Sequence, residues 1–297
     1  MEQQDILSMT LPELQAAVQE LSEPKFRAKQ IFNWLHQKRV TDFSEMTTLS
    51  LPFRERLASD FCINRLKIAK RLASSVDDTV KYLYELPDGN YVETVCMQYH
   101  HGTSLCISTQ VGCRMGCRFC ASAIAGFVRN LTPAEMLLQI YETERAQNCK
   151  ISSLVLMGIG EPLDNFDNVL RFLQLLSDPN GYGMSLRHVT VSTCGVVPKI
   201  LELAEQRLGL TLSVSLHCPN DAGRSAIMPI NRSYPIDVLL DACQTYFEKT
   251  GRRVTFEYAV MDQVNSAEQD AAALAERLKG LHAHVNLIPI NPVKERN

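Results

Sequence analysis

The sequence predicts an α/β protein in which a partial (β/α)6 barrel follows a small helical domain, with residues 1–80 forming the helical part and 81–297 the barrel part. Three observations carry this. Apolar residues recur at helical spacing through the first sixty or so positions. From Leu105 onward, short β-branched runs alternate with amphipathic runs, the pattern of a parallel sheet with right-handed crossovers. Glycines or polar residues recur just after those short runs, where barrel folds collect functional groups.

The elements follow in order. Leu11-Pro12-Glu13-Leu14 opens an amphipathic helix, and Lys25 to Lys38 sets Phe26, Ile31, Trp34 and Leu35 near helical spacing. Leu51 to Phe61 has Pro52 in its first turn, so the helical reading extends over residues 1 to about 72. Lys81 to Leu86, Tyr91 to Met97 and Ser104 to Ser108 read as strands, the first two joined by the turn Pro87-Asp88-Gly89-Asn90. Thr132, Pro133 and Glu135 spell a capped helix start running to about Gln147. Strand-like runs at Leu154–Met157, His188–Ser192, Leu210–Ser215, Val254–Ala259 and Val285–Pro289 then alternate with helical runs at Asn165–Leu176, Pro198–Gln206, Pro235–Lys249 and Ser266–Leu278. With Leu105–Ser108 they make the six strands.

Hydrophobic content of 45% and charged content of 21% are ordinary for a globular chain, and the net charge of -3 says nothing about nucleic acid. Its distribution says more. Between Lys25 and Arg71 stand 11 lysines or arginines against 4 aspartates or glutamates, a basic helical module suited to a phosphate backbone or to a solvated bundle surface. Nothing in Met1 to Ser8 reads as a secretory signal and no stretch is apolar enough to span a bilayer. The expected compartment is the cytoplasm, where ten cysteines bind metal or do chemistry rather than staple a fold.

Three of those cysteines stand together as Cys113-x3-Cys117-x2-Cys120, in a loop that also carries Arg114, Gly116 and Arg118. Thiolates favour zinc, copper(I) or iron-sulfur clusters. A zinc site would need a fourth ligand such as Cys106, His100 or His101. An iron-sulfur cubane held by three thiolates instead leaves one iron open to a ligand that is not protein. Downstream, Gly158-Ile159-Gly160-Glu161-Pro162, Ser192-Thr193-Cys194-Gly195, Ser215-Leu216-His217 and Asn291-Pro292 follow successive strand-like runs, as a mouth site for a polar cofactor requires.

The thiol loop, these strand-end motifs, Gly126 to Leu131, Pro229-Ile230-Asn231 and Asn286 to Pro292 closely resemble the radical S-adenosylmethionine (radical SAM) adenine-C2 methyltransferases of 23S rRNA. The resemblance is to the branch that acts on both 23S rRNA and tRNA, and runs from the N-terminal helices to Asn297. It implies a radical-SAM barrel, a helical RNA-binding accessory domain, and a 4Fe-4S cluster on Cys113, Cys117 and Cys120. It implies S-adenosyl-L-methionine held by Gly160, Glu161, Ser192, Ser215, Leu216, His217 and Asn291, with Glu161 on the methionine amino group. C2 of adenine lies between two ring nitrogens and is no nucleophile, which is why a radical is needed.

Two further roles follow from the resemblance. Cys106 matches the cysteine that resolves a covalent protein-RNA intermediate through a disulfide, and Glu93 matches the proton acceptor. Read alone, they are a small strand residue and an exposed strand glutamate. Partners implied are 23S rRNA, tRNA and an electron donor such as flavodoxin, with no membrane and a monomeric chain. The family's methyl-bearing cysteine belongs after the Asn-Pro motif, whereas the last cysteine here is Cys243. The expectation is therefore a fragment that binds cluster and cofactor without methylating RNA. A radical-SAM enzyme of another substrate class and a zinc-clipped RNA-binding protein are the alternative readings.

Overall fold

A computed structural model describes residues 3–290. The chain divides into two compact units, the first made of residues 1–107, 131–153 and 167–185, the second of residues 108–130, 154–166 and 186–297.

The first unit opens with β1 (Gln4–Asp5), α1 (Leu11–Glu20), α2 (Phe26–His36), α3 (Leu51–Asp60) and β2 (Phe61–Cys62). The helix-start signals in the sequence are realised physically: Glu13 accepts from the Thr10 amide at 2.8 Å, and Pro52 occupies the first turn of α3. An antiparallel ladder follows, ordered β3 (Lys67–Ala73), β4 (Val80–Glu85), β5 (Tyr91–Tyr99), β6 (Gly102–Cys106). Strand β3 departs from expectation, since Lys-Ile-Ala-Lys-Arg-Leu-Ala falls almost wholly within the stretch that reads as helical. It is exposed along its whole length, so no core face imprints a period of two, and its pairing with β4 decides its conformation. Its lysines suit an edge strand, which they guard against pairing with other chains.

Helix α4 (Pro133–Gln147) is the core of this unit. Its capping box forms as read, Thr132 Oγ1 accepting from the Glu135 amide at 3.2 Å and the Glu135 carboxylate from the Thr132 amide at 2.9 Å. Nearly every residue from Pro133 to Glu144 is buried, so its polar side chains must find partners inside. Gln139 accepts from Thr94 of β5 at 2.8 Å, Thr143 pairs with the Tyr84 hydroxyl at 2.8 Å, and Tyr141 pairs with His36 Nδ1 at 3.0 Å. Helix α5 (Phe166–Ser177) contributes Arg171, paired with Glu13 at 2.6 Å.

The second unit carries a hairpin, β7 (Gln110–Gly112) with β8 (Phe127–Asn130), and the parallel strands β9 (Ile151–Leu156), β10 (Val189–Thr193), β11 (Thr211–Ser215), β12 (Val254–Val260) and β13 (Ala283–Pro289). Residues 151–153 of β9 belong to the first unit, where Ser152 donates to the Thr103 carbonyl of β6 at 2.9 Å. Strands β9 to β13 lie side by side in sequence order, so each crossover adds its strand beside the last. The crossover helices include α6 (Val197–Glu205), the short α7 (Asp221–Ile227), α8 (Ile236–Thr250) and α9 (Glu268–Leu278). The sheet is open at β13, as a partial barrel requires. No helix among the described residues is long and apolar enough to cross a membrane.

His36 is buried, and burial, the dominant cause, holds it down to about 4 against an ordinary value of 6.5. The unfolded chain therefore takes up the proton first. The contribution is complete above pH 6.5 and is lost as pH falls toward 4, on the order of 3 kcal/mol in total. Comparing His36→Leu with the parent by denaturant unfolding should give a shallower loss of stability over that window; parallel curves would show that His36 does not set it.

Candidate active site

The thiol loop runs between β7 and β8, and two backbone features shape its base. Gly112 has φ +72°, and a side chain there would drive into the Gly126 carbonyl. The loop closes through Cys113 N–H donating to that same carbonyl at 3.1 Å. Above it, Arg114 pairs with Asp164 at 2.9 Å and lies over the Phe127 ring at 3.8 Å, while the Arg118 amide donates to the Ile227 carbonyl at 2.9 Å. The arginines that accompany the cysteines in sequence thus help to seat the loop.

The three thiols face a cleft of about 380 Å³, within the usual size of small-molecule sites. Its other walls are strand ends: Gly160 and Glu161 after β9, Ser192 at β10, Ser215 and His217 at β11, Glu257 on β12 and Ile288 near the end of β13. The structure therefore gathers five of the residues singled out for the cofactor with the three singled out for the metal: Cys113, Cys117, Cys120, Gly160, Glu161, Ser192, Ser215 and His217 all line one space. Leu216 is different. It is fully buried, and its backbone bonds to Glu257 and Arg224 rather than its side chain make its contribution. Asn291 lies outside the described residues.

Register explains why polar groups meet here. Ser192 stands opposite Ser213, Ser215 opposite Glu257, and Glu257 opposite Asn286, so a polar row crosses β10 to β13 near their ends. Glu257 accepts from Ser213 Oγ at 2.5 Å and from Asn286 Nδ2 at 2.7 Å. Glu161 is buried with both oxygens engaged, one accepting from the Leu163 amide at 3.0 Å and the other from the Cys194 amide at 2.8 Å. Burial raises its pKa above the ordinary carboxylate value, against the lowering effect of those amides. The carboxylate so held lines the cleft, where it can meet a cation.

His217 sits at φ +57°, its Nδ1 accepting from the Ala259 amide at 2.9 Å. That bond leaves the ring proton on Nε2. Burial first, and the Arg224 charge second, hold its pKa down to about 4, so the ring is a neutral donor across the neutral range. Phe119 of the thiol loop packs edge-on against it at 4.9 Å between centroids.

Two residues outside the sequence reading prove central. Arg224, on α7, is fully buried and donates to the carbonyls of Cys194 (2.7 Å), Ser215 (3.0 Å) and Leu216 (3.2 Å) and to Asn231 Oδ1 (2.8 Å). Gln110 donates to Asn130 and Asp164, each at 2.8 Å, and accepts from the Glu161 amide at 2.8 Å. Neither stands in a recognisable motif of its own, although Asn231, the Arg224 partner, does. Glu257 did leave a trace, as a lone charge inside the apolar run Val254–Val260.

The residues present fit a cluster with a ligand on its open iron. Burial, reinforced by the neighbouring thiols, pushes Cys117 up to about 12, and burial also raises Cys113. Such thiols ionise when a metal supplies the compensating charge. Among the described residues no three His, Cys, Asp or Glu side chains converge on a point that could hold a single ion; a cubane asks for a wider triangle, because each thiolate binds a different iron. At Gly160, φ is +111° and an added Cβ would come within 2.6 Å of the Gln110 side chain, so the cleft floor accepts glycine alone. His100 and His101 occupy the turn between β5 and β6, where His101 stacks on Tyr99.

Glu93 and Cys106 belong to the first unit, on neighbouring strands. Cys106 stands opposite Val95 on β5, two residues from Glu93, so both project from one face of the β5–β6 pair as diagonal neighbours. Glu93 pairs with Lys81 at 3.0 Å. No disulfide joins any of the ten cysteines.

Parallel strands whose ends meet a Cys-x3-Cys-x2-Cys loop define a radical SAM enzyme, and a radical SAM superfamily model matches residues 107–275. A solved radical SAM methyltransferase from Sphaerobacter thermophilus superposes with a TM-score of 0.93 at 40% identity, covering 97% of this chain and 86% of that one. The model of the ribosomal RNA large subunit methyltransferase N-terminal domain matches residues 4–63. Probable dual-specificity RNA methyltransferases RlmN from Lachnoclostridium phytofermentans (52% identity, 99% of this chain and 82% of the relative) and Alkaliphilus oremlandii (50%, 100% and 86%) align along nearly its whole length. The chain belongs to the RlmN family of radical SAM RNA methyltransferases, and its cofactors are a 4Fe-4S cluster and S-adenosyl-L-methionine.

Arg224→Met keeps the volume but leaves three backbone carbonyls and Asn231 without their donor. It should cost about 3–5 kcal/mol of stability and weaken S-adenosylmethionine binding, read by denaturant unfolding and by calorimetry on reconstituted protein. Unchanged values in both would show that the guanidinium does not hold the strand ends.

Proposed function

We propose that this enzyme methylates C2 of an adenine in both 23S rRNA and tRNA, with the cofactor bound in the cleft of the second unit. The observation that carries the cofactor part is the meeting of Cys113, Cys117 and Cys120 with five successive strand ends around one space. When bound, the reduced cluster supplies the electron that splits S-adenosylmethionine into methionine and a 5'-deoxyadenosyl radical, the step that makes an electron-poor C2 reachable.

The chain's own residues do the rest. Cys113, Cys117 and Cys120 hold the cluster, and no fourth thiol of the loop competes for the open iron. Glu161, pinned by two backbone amides, offers its carboxylate to the methionine ammonium, a charge-assisted contact in a site sheltered from water. Gly160 gives the backbone close approach, while Ser192, Ser215, His217 and Asn291 supply polar contacts to the nucleoside. Leu216 acts through its backbone.

Glu93 takes a proton from the substrate base, and Cys106, as a thiolate, attacks the sulfur of the methyl-bearing cysteine, forming an S–S bond as that sulfur's bond to carbon breaks, the electron pair staying on the carbon, which takes up a proton to become the methyl group. Their placement on one face of β5–β6 supports a shared substrate. Lys81, paired with Glu93, orients its carboxylate on that face. The N-terminal stretch of residues 1–80, helices followed by strand β3, contacts RNA phosphates through its excess of cations. Electrons come from a donor such as flavodoxin, and the enzyme acts as a cytoplasmic monomer.

Two measurements test this. Anaerobically reconstituted protein should be brown and release 5'-deoxyadenosine on reduction, and Cys113→Ala should lose both properties; retention of either would sink the cluster assignment. Disrupting the coding gene in its host should remove C2-methyladenosine from 23S rRNA and tRNA alike, and its persistence in either RNA would overturn the dual substrate.

For the acid-base pair, Glu93→Gln carried in the host gene should slow methylation about a hundredfold, and Cys106→Ala should abolish it. S-adenosylmethionine turnover left intact by Cys106→Ala would favour a radical SAM enzyme of another substrate class.

A further inference from the structure

The first unit holds a second concavity that the methylation chemistry does not use. It is a cavity of about 480 Å³ on the outer side of α1 and α2. One wall is aromatic: Phe26, at the start of α2, is 59% exposed, unusual for so large an apolar ring, and Trp34 lies two turns along the same helix. The indole is fixed in place, its Nε1 donating to Thr48 Oγ1 at 2.8 Å. The rim is basic, with Lys25, Lys29 and Lys38. Among the described residues no carboxylate pairs with any of these three lysines. Lys38 rests its ammonium 3.4 Å above the indole centroid, held at the mouth by a cation–π contact.

Amide side chains complete the lining. Gln15, Gln30 and Asn33 face the cavity. Gln30 uses its oxygen for Arg27 at 2.9 Å, which leaves its amide N–H groups, and Asn33 donates to Gln37, which leaves its oxygen. Donors and acceptors are thus both on offer beside an exposed ring. This combination of a stacking surface, base-edge partners and uncompensated cations is what an unstacked nucleotide asks for. An apolar ligand would leave the lysines and amides unused, and a bare phosphate would leave Phe26 unused.

We propose that this cavity on α1 and α2 binds one unpaired nucleotide of the RNA substrate, its base stacked on Phe26 and its flanking phosphates on Lys25, Lys29 and Lys38. This rests on the RNA-substrate reading and adds to it a place where the accessory domain grips a looped-out or single-stranded base. The grip distinguishes structured RNA carrying such a base from plain duplex, whose base edges are hidden.

Trp34 is the chain's single tryptophan, so its emission reports the cavity directly. Titrating the full chain with a single-stranded hexaribonucleotide of mixed sequence should quench that emission saturably. An abasic ribose-phosphate hexamer should bind about tenfold more weakly, and Phe26→Ala should lose about tenfold in hexamer affinity with its melting temperature unchanged. Lys25→Ala with Lys29→Ala should flatten the salt dependence, lowering the slope of log affinity against log salt by roughly 1.4.

No quenching, equal affinity for the abasic oligomer, or an unaffected Phe26→Ala variant would each overturn the base pocket. These readouts need neither cluster nor S-adenosylmethionine. Failure here leaves C2 methylation standing, and failure of C2 methylation in the host leaves the quenching intact.

Discussion

A buried guanidinium holds the cleft of the second unit together. Strand ends in a parallel sheet present carbonyls that no neighbouring strand satisfies, and where a ligand must later bind they cannot all be left to water. Arg224 answers three of them, at Cys194, Ser215 and Leu216, and locks itself to Asn231. Arginine suits the task because its donors point in fixed, divergent directions and its charge is never lost. Gln110 does the same on the other flank, tying β8 and Asp164 to the Glu161 amide. The cofactor residues are therefore positioned by hydrogen bonds made within the protein, before any ligand contributes.

Electrostatics in that cleft are arranged around charge that the ligands bring. The thiols are pushed toward their neutral form and His217 is held neutral, in both cases by burial above all. Glu161 is likewise raised by burial, yet two amides oppose the shift and keep it pinned. A cluster and a sulfonium with its ammonium group, held by these residues, would supply positive charge where burial makes isolated anions costly. The same thiols without metal are poor nucleophiles, which limits stray chemistry in a reactive site.

The first unit follows a different physical logic. Its central helix is buried through most of its length, and Tyr141, Thr143 and Gln139 along it are matched by partners on α2, β4 and β5. Buried polar pairs of this kind favour one packing. On that platform stand two features of different character: the face of β5–β6 that carries Glu93 and Cys106, and the aromatic, lysine-rimmed cavity of α1 and α2.

Much of this was legible in the residues. The alternation of β-branched and amphipathic runs located the five parallel strands within three residues, because burial in β10 to β12 enforces apolar runs. Thr132, Pro133 and Glu135 marked a helix start since capping is local chemistry. The spacing of Cys113, Cys117 and Cys120 and the strand-end motifs picked out residues that the fold gathers around one cleft. Strand β3 was missed because an exposed edge leaves no periodic trace. Arg224, Gln110 and Glu257 were missed, or only hinted at, because their partners lie far along the chain, and the pairing of Glu93 with Cys106 on one face depended on register. By itself the sequence determined whatever rests on local periodicity, capping and ligand spacing. Tertiary structure alone decided which buried donors answer which strand-end carbonyls, since those partners become neighbours only when the chain has folded.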